Sequence, residues 1–424
     1  MRRKVAVAEL RIGMYVAELD RPWRGTPFLF QGFEIRSDDE IAQLRSLCQH
    51  VFVDTAPVAG TTPPRSPRPV QATERKSTII TEASAPAYAL LKRFYDEPHR
   101  TPRYTDKVPL EVELPQAREL ERETKTLVYE IMDDARLGRM VDTERAKHVV
   151  AGLVQSVMRN PDALINLNQL KNKDEYTALH SLRVCVLALA FARHLELTDD
   201  QLNIVGLGAL LHDIGKMRVP NEILNKPGKL TDKEFDIMKT HVPEGVKIAE
   251  AGRGVPPAAI ELIATHHERV DGSGYTSGLS GEGISLYGQI AAIADCYDAI
   301  TSDRVYHAGV SAHEALGRLY GWRNINFHEQ LVEQFIQCMG IYPIGSIVEL
   351  NTGSVGVVVA TNRMRRLKPR VALVLNSDKT PYAARKIIDL HHESDSSGSV
   401  LEIRKVLPHG AFGINPTDHL PIHI

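Results

Sequence analysis

The stretch "LLHDIGK", Leu210 to Lys216, places a histidine beside an aspartate within an apolar run and ends that run with glycine and lysine. An ionised carboxylate among leucine and isoleucine side chains is costly to remove from water unless a cation or a hydrogen-bond donor contacts it. A metal ion meets that requirement well. We therefore expect His212 and Asp213 to belong to a metal site rather than to an ordinary helical core.

Further histidines and one further aspartate occur in the helical pattern on both sides of this stretch. They are His180, His241, the adjacent pair His266 and His267, and Asp295. Each lies in or at the edge of a separate predicted helix, so a helical bundle could direct all of them into one cavity. A lone histidine on an apolar helix is more often a hydrogen-bonded core residue. The presence of several, together with Asp213, favours a metal centre.

The types of side chain indicate which metal this centre binds and how many ions it holds. Neutral imidazoles and carboxylates suit a divalent transition ion such as iron, manganese or zinc, whereas calcium prefers more oxygens and structural zinc more thiolates. Successive residues of a helix point about 100° apart, so neither His212 with Asp213 nor His266 with His267 is well placed to bind one ion. We therefore expect two neighbouring metal ions.

Two metal ions bridged by a carboxylate are typical of phosphoryl hydrolysis. The ions lie about 3.5–4 Å apart, and the water between them is deprotonated near neutral pH and attacks phosphorus in line. We predict Asp213 as the bridging carboxylate. Lys216 is predicted to neutralise a phosphate oxygen or to steady the metal-bound hydroxide. The alternative for Lys216 is a solvated lysine that follows a helix-ending glycine.

The composition limits the class of protein. The chain has 424 residues, is 43% hydrophobic and 25% charged, and carries a formal net charge of -2, which disfavours a nucleic acid polymer as partner. The four cysteines lack CxxC spacing and are predicted to be reduced thiols: Cys48, Cys185, Cys296 and Cys338. We find no signal sequence and no uncharged apolar run near the roughly 20 residues of a membrane span. These features predict a soluble, cytoplasmic protein.

Changes in pattern along the chain predict four segments. Residues 1–54 combine strands around a Gly13 turn with a short helix, and indicate a small α+β domain. Residues 55–113 contain a Pro/Ser/Thr-rich linker that cannot offset its own chain entropy. Residues 114–340 have a helical pattern, with helices near 116–139 and 143–159. Residues 341–424 contain short β-branched runs and predict a β-rich unit, either a barrel or a ribbon.

The order of the motifs over residues 130–340 resembles the HD-GYP subgroup of the HD phosphohydrolase superfamily. The resemblance rests on His180, "HD" at 212–213, His241, "HHERVDGSGY" and "IADCYDAITSDRVYH". It implies an HD-type helical bundle with an iron or other transition-metal centre. It also implies hydrolysis of the bacterial messenger cyclic di-GMP to pGpG, with further hydrolysis to GMP left open. The implied metal ligands are His180, His212, Asp213, His241, His266, His267 and Asp295, with Lys216 assisting catalysis.

The same resemblance implies a set of substrate contacts. Arg304 would bind phosphate through bidentate hydrogen bonds, and Asp298 and Thr301 would line or brace the pocket. For Asp298, support of a metal ligand or helix capping is an equally good interpretation. Tyr275 lies in the loop that names the family, where it would gate the pocket or recruit a partner.

Three positions depart from the family pattern. The tripeptide is Gly-Tyr-Thr, so Thr276 replaces the family's proline and the loop loses one fixed φ angle. His307 stands where a permanent cation is usual, which predicts weaker, pH-dependent attraction of phosphate. Tyr176 occupies the position of a glutamate that supports a third metal in some members, and Glu175 is one place off. We therefore expect two metals rather than three.

Several alternatives stay open at this point. The same pocket could sense cyclic di-GMP without turnover, or it could hydrolyse another nucleotide. The N-terminal segment resembles an uncharacterised domain often found ahead of HD-GYP domains, a similarity that rests on "ELRIGMYV" and the strand–helix–strand order. A homodimer and a signalling partner such as a diguanylate cyclase are neither favoured nor excluded by the sequence.

Overall fold

The structure is a computed structural model, and it describes residues 2–21, 33–35, 38–54, 103–170, 176–302, 309–363, 365–394 and 398–423. The chain divides into two compact units, Met1–Arg65 and Ser66–Ile424. Most of the predicted linker, residues 55–102, lies outside the described residues, as do Arg304 and His307.

The first unit is a small α+β domain, as predicted. Its elements are β1 (Arg2–Ala6), β2 (Tyr15–Leu19), β3 (Phe33–Glu34), α1 (Asp38–Leu47) and β4 (His50–Asp54). The sheet is antiparallel with the order β1-β4-β2-β3, so the last strand pairs between the first two. Alternate residues of β4 are buried, among them Val51 and Val53, which pack in a core with Leu44 of α1. Gly13 adopts a φ of 91° in the turn before β2, a conformation that costs glycine little.

The second unit is mainly helical, which confirms the predicted fold class. Its helices are α2 (Leu110–Leu137), α3 (Thr143–Arg159), α4 (Pro161–Leu167), α5 (Tyr176–His194), α6 (Asp199–Leu211), α7 (Asn221–Leu224), α8 (Asp232–Lys239), α9 (His241–Ala251), α10 (Pro257–Thr265), α11 (Leu286–Thr301), α12 (Ala312–Gly321) and α13 (Glu329–Met339). Helix α5 lies at the centre and packs against α2, α3, α6, α11 and α13. Its described side chains are nearly all buried, which matches its almost uniformly apolar sequence.

Local signals in the sequence fix several helix boundaries. Thr231 and Glu234 form a reciprocal capping box at the start of α8, and Pro256 precedes the first residue of α10, both as predicted. Helix α2 begins at Leu110, earlier than the predicted start near residue 116, and includes Pro115. Among the described residues, no helix combines the length and the apolar character that a membrane span needs.

The C-terminal β unit is a five-stranded antiparallel sheet. Its strands are β5 (Ile347–Leu350), β6 (Val355–Ala360), β7 (Arg370–Leu375), β8 (Pro381–Asp389) and β9 (Ile403–Val406), in the order β8-β7-β6-β5-β9. The sheet belongs to the same compact unit as the helices. Asn166 of α4 donates a hydrogen bond to the Val359 carbonyl at 3.0 Å, and the Thr361 amide donates to Asp162 at 2.8 Å. The finer division at residue 340 stays a prediction.

Candidate metal centre

The predicted ligands come from five helices, and most of them lie at helix ends. His180 is in the first turns of α5 and Asp295 is in the middle of α11. His212 caps the C-terminus of α6 and His266 that of α10, with Asp213 and His267 directly after them, and His241 is the first residue of α9. All are buried except His267, which is half-buried. The prediction that these side chains share one cavity therefore agrees with their placement.

The ligand atoms form two groups, in each of which the atoms lie within 4.8 Å of one another. We call His180, His212 and Asp295 the first ligand group, and Asp213, His241, His266 and His267 the second ligand group. The sequence analysis expected His266 and His267 to be poorly placed to bind one ion, but their ligand atoms lie in the same group. His266 keeps helical backbone angles, with φ of -62° and ψ of -17°, and the two ring centroids are nevertheless 4.1 Å apart. A spacing of about 100° along a helix therefore does not keep two imidazoles from converging.

Asp213 lies between the two groups. Its Oδ2 atom is 3.3 Å from His212 Nε2 and 3.5 Å from His180 Nε2. Its Oδ1 atom is 3.4 Å from His241 Nε2 and 3.9 Å from His266 Nε2. One carboxylate thus directs one oxygen toward each set of imidazoles, which is the arrangement that a bridging ligand needs.

Hydrogen bonds donated by Nδ1 to backbone carbonyls orient three of the imidazoles. His212 donates to the Ala209 carbonyl at 2.7 Å, His241 to the Met238 carbonyl at 2.7 Å, and His266 to the Ile263 carbonyl at 2.8 Å. Because a carbonyl only accepts, Nδ1 carries the proton and Nε2 keeps its lone pair. This is the usual support for a metal-binding histidine.

His180 is oriented by side chains instead. Its Nδ1 atom is 2.7 Å from Asp298 Oδ2, and Arg183 donates two hydrogen bonds to the same carboxylate, at 2.7 and 3.0 Å. Asp298 and Arg183 are both buried. The carboxylate that was predicted as a substrate contact is therefore engaged with a ligand histidine, in agreement with the bracing alternative.

Unpartnered buried atoms test whether the site fits a cation. Within the described part of the chain, Nε2 of His212, His241 and His266 and Oδ1 of Asp213 are buried and have no hydrogen-bond partner. Leaving one such atom unsatisfied costs about 1–3 kcal/mol, so the three nitrogens and the Asp213 oxygen need a common explanation. Lone pairs that converge in this way fit a metal ion.

The protonation states also favour metal binding. Burial opposes ionisation of Asp213, but Lys216 and the neighbouring histidines outweigh it and hold the pKa of Asp213 well below its usual value. Burial lowers the pKa of His241 to about 4 and that of His266 to about 3. At neutral pH the carboxylate is therefore ionised and these two imidazoles are neutral, as ligands must be.

Lys216 lies in a 3-10 helix, Ile214–Arg218, and its Nζ atom donates to Asp213 Oδ2. Its side chain is 21% exposed, so it reaches both the buried carboxylate and the surface of the site. Gly215 allows this helix to pack closely on α9, because a Cβ there would lie 1.9 Å from the His241 carbonyl oxygen.

The remaining predicted residues have different placements. Tyr275 is half-buried and stacks on His267, with ring centroids 4.6 Å apart and an interplanar angle of 29°. The Thr301 hydroxyl donates within α11, to the Tyr297 carbonyl at 2.8 Å and to the Asp298 carbonyl at 3.3 Å. The predicted contacts of Arg304 and His307 lie outside the described residues.

Two residues near the site were missed by the sequence analysis. Arg183 follows His180 by three positions and so lies on the same face of α5, and an arginine in such an apolar helix is the signal that could have identified it. Glu268 follows the histidine pair and is only 2% exposed. Its burial could not be recognised from the sequence, because its hydrogen-bond partners are backbone amides nine and eleven residues later.

Comparison with family models divides the chain into three matches. Residues 2–146 match a domain of unknown function (DUF3391), residues 157–324 match an HD domain, and residues 347–396 match a KOW domain associated with the HD domain. The HD match contains all seven predicted ligands.

Comparison with known proteins gives one relative that covers nearly the whole chain and others that cover a smaller part of it. A protein of Pseudomonas aeruginosa named cyclic di-GMP phosphodiesterase is 37% identical over 394 residues, which cover 92% of this chain and 89% of that protein. A 3'3'-cGAMP-specific phosphodiesterase of Vibrio cholerae is 34% identical over 171 residues, 40% of this chain and 33% of that protein. Among solved structures, an HDG"Y"P protein from Bdellovibrio bacteriovorus covers 79% of this chain and 98% of its own, with 16% identity and a TM-score of 0.45.

Proposed function

The chain belongs to the HD-GYP family and is a phosphodiesterase, and from this premise we propose that it hydrolyses cyclic di-GMP to pGpG with two divalent transition-metal ions. The support for this substrate is the name of the Pseudomonas aeruginosa relative, which is similar over nearly the whole of both chains. Whether pGpG is hydrolysed further to GMP is a question for the product assay below. Because cyclic di-GMP is an intracellular messenger, the proposal also implies a cytoplasmic location.

The observation that carries the proposal is the position of Asp213 among unpartnered nitrogens. Its two oxygens face different ligand groups, and Nε2 of three histidines has no hydrogen-bond partner among the described residues. We assign one ion to the first ligand group and one to the second, with Asp213 shared between them. Bound there, the ions would supply a hydroxide at neutral pH and would neutralise charge on the phosphate. Iron is the first choice, with manganese and zinc as alternatives.

The chain's own residues have defined tasks in this proposal. Lys216 offers a cation at the partly exposed edge of the site, where it can accompany Asp213 or move to a phosphate oxygen. Asp298 and Arg183 fix the His180 ring, so that its Nε2 atom stays directed toward His212 and Asp295. Tyr275 forms an aromatic wall beside the second ligand group. Arg304 and His307 are proposed to bind the phosphates of the substrate.

A product assay tests the proposal. Protein purified without oxygen and loaded with iron, manganese or zinc is incubated with cyclic di-GMP, and products are separated by chromatography alongside elemental analysis. We expect pGpG to form, and GMP at longer times would show that pGpG is hydrolysed further. Tight binding of the dinucleotide with no product over hours would instead support a sensor.

A second substrate is favoured by one observation, the similarity to the 3'3'-cGAMP-specific phosphodiesterase of Vibrio cholerae. The same assay with 3'3'-cGAMP separates the two candidates through kcat/KM for each dinucleotide. A value for cyclic di-GMP that is at least tenfold higher supports the proposal. The reverse ratio would keep the mechanism and change the substrate.

A further inference from the structure

A glycine-rich loop follows the ligand pair His266 and His267. The segment 272–281 contains four glycines in ten residues, and such a segment has many accessible conformations when it is free. Hydrogen bonds fix its two ends, from the Gly272 amide to the Arg269 carbonyl at 2.8 Å and from the Gly281 amide to the Val270 carbonyl at 2.9 Å. The middle of the loop needs other contacts if it is to keep one position.

The carboxylate of Glu268 supplies such contacts. Its Oε1 atom accepts from the Ser277 amide at 2.7 Å, and its Oε2 atom accepts from the Leu279 amide at 3.0 Å. Glu268 is only 2% exposed, so these bonds form where water does not compete. A Cβ at Gly274 would lie 2.5 Å from the Glu268 Cα, which shows how closely the loop packs on the ligand-bearing turn.

The position of this loop determines the position of Tyr275. The Tyr275 amide donates to the His267 carbonyl at 3.2 Å, and its ring stacks on the His267 ring. The other side of the aromatic cluster is Phe235, whose ring centroid is 5.9 Å from that of Tyr275. Glu268 holds the chain two and four residues beyond Tyr275, and so limits how far the ring can move from His267.

We propose that Glu268 is a positioning residue that holds the 272–281 loop, and with it Tyr275, against the second ligand group. This inference rests on the proposed function, because it assigns Tyr275 to the wall against which the dinucleotide binds. The hydrogen bonds of the Glu268 carboxylate go to the Ser277 and Leu279 amides and not to a predicted ligand atom. Its contribution is to form that wall before the substrate arrives, which lowers the entropic cost of binding.

Kinetics of Glu268 variants test the proposal. In Glu268→Ala both acceptors are lost, and we expect KM for cyclic di-GMP to rise about tenfold while kcat and metal content stay within about twofold to threefold. Glu268→Gln keeps one acceptor oxygen and should recover part of the loss. The matched control is Glu113→Ala, since Glu113 is also 2% exposed and accepts from Ser156 and Arg159, but lies on α2, which carries no predicted ligand. The control should lower stability and leave KM unchanged.

A double-mutant cycle separates positioning from general stabilisation. If Glu268 acts through Tyr275, then the double variant Glu268→Ala/Tyr275→Ala should have the KM of Tyr275→Ala alone. Independent, multiplicative effects would overturn the proposal. So would an unchanged KM in Glu268→Ala, or loss of metal from the second ligand group in Glu268→Gln.

Hydrogen exchange gives a result that does not depend on turnover. The amides of Ser277 and Leu279 should exchange at least tenfold faster in Glu268→Ala than in the parent protein, and the Glu113→Ala control should leave them protected. If these two amides are as well protected in the Glu268 variant as in the parent protein, Glu268 does not hold the loop. If the parent protein fails to hydrolyse the dinucleotide while the exchange result holds, the proposed function is wrong, but Glu268 still holds the 272–281 loop.

Discussion

The two ligand groups differ in the support of one histidine. In the first group, His180 depends on the side chains of Asp298 and Arg183, whereas His212 is held by the Ala209 carbonyl. In the second group, His241 and His266 depend on backbone carbonyls one turn earlier in the chain. A backbone support cannot be removed by a substitution at the supporting residue, whereas a side-chain support can. Substitutions at Asp298 or Arg183, which are not ligands themselves, should therefore change the metal affinity of the first group alone.

The electrostatic environment of His180 also differs from that of the histidines in the second group. Burial lowers the pKa of His180, but hydrogen bonds with Asp295 and Asp298 outweigh it and raise the pKa overall. Burial dominates at His241, His266 and His267, and lowers the pKa of each. Two ions of equal charge would thus bind in unlike fields, with more carboxylate around the first.

The largest effect is expected from the residue that the two groups share. Asp213→Ala should reduce turnover by about a thousandfold or more and should lower the metal content of both groups, because each carboxylate oxygen faces one of them. Elemental analysis, product formation and far-ultraviolet circular dichroism measure the three consequences, and helicity should be nearly unchanged. The control is Asp162→Asn, which alters a carboxylate of similar burial that binds Thr361 and Arg363. Loss of a single ion in the Asp213 variant would rule out the bridge.

A smaller and one-sided effect is expected from Asp298→Asn. The change removes the charge that holds His180 and leaves Arg183 buried without its ion pair, so the first group should bind metal about 10–100-fold more weakly. The second group should keep its ion. Metal titration monitored by elemental analysis should therefore show one tight and one weakened site per chain. Equal weakening of both sites would show that the groups are not supported independently.

Lys216→Met is expected to have a still smaller effect. It removes the cation on Asp213 Oδ2 but keeps the length of the side chain, so kcat should fall about tenfold with the metal content unchanged. Steady-state kinetics measure this, and Lys226→Met, which removes a lysine paired with Glu234, is the control. Since Lys216 is bonded to Asp213, the alternative of a solvated lysine is wrong, and an unaffected kcat would mean that this bond has a structural role alone.

The sequence was informative where chemistry constrains residue type. An aspartate in an apolar run together with histidines on separate helices was enough to predict a metal site, and one shared cavity follows once a helical bundle is assumed. The division into two ligand groups was not predicted. The rule that adjacent helical residues diverge did not anticipate the grouping of His266 with His267, although His266 keeps helical backbone angles. The sequence does not specify the side-chain torsions that decide where two imidazole rings end.

Long-range partners and exposed edges were less predictable. The bond between Asp298 and Arg183 joins residues of two helices whose packing the sequence does not specify. Strand β8, Pro381–Asp389, was missed because it is an edge strand with mostly exposed side chains and lacks the apolar runs that identified β5, β6 and β7. The neighbouring runs were recognised because β5 and β6 are wholly buried and β7 is mostly so.

The order in which the two groups lose metal on acidification gives the finest test of their difference. A proton competes with metal at a histidine once the pH falls toward the pKa of that histidine. Since the pKa of His180 is raised above 6.5 and that of His241 is lowered to about 4, protons should displace the ion of the first group at higher pH than that of the second. Ions per chain, counted after equilibration with a fixed chelator at several pH values, should fall from two to one before falling to zero.

The order of loss, rather than the pH of either step, is the prediction, because tight metal binding shifts both steps downward. Asp298→Asn should move the first step to higher pH and leave the second step unchanged, since it weakens metal binding in the first group alone. Loss of the second-group ion first, or simultaneous loss of both, would mean that the field around His180 does not distinguish the groups. In that case the side-chain support of His180 would have no effect on how the two groups hold metal.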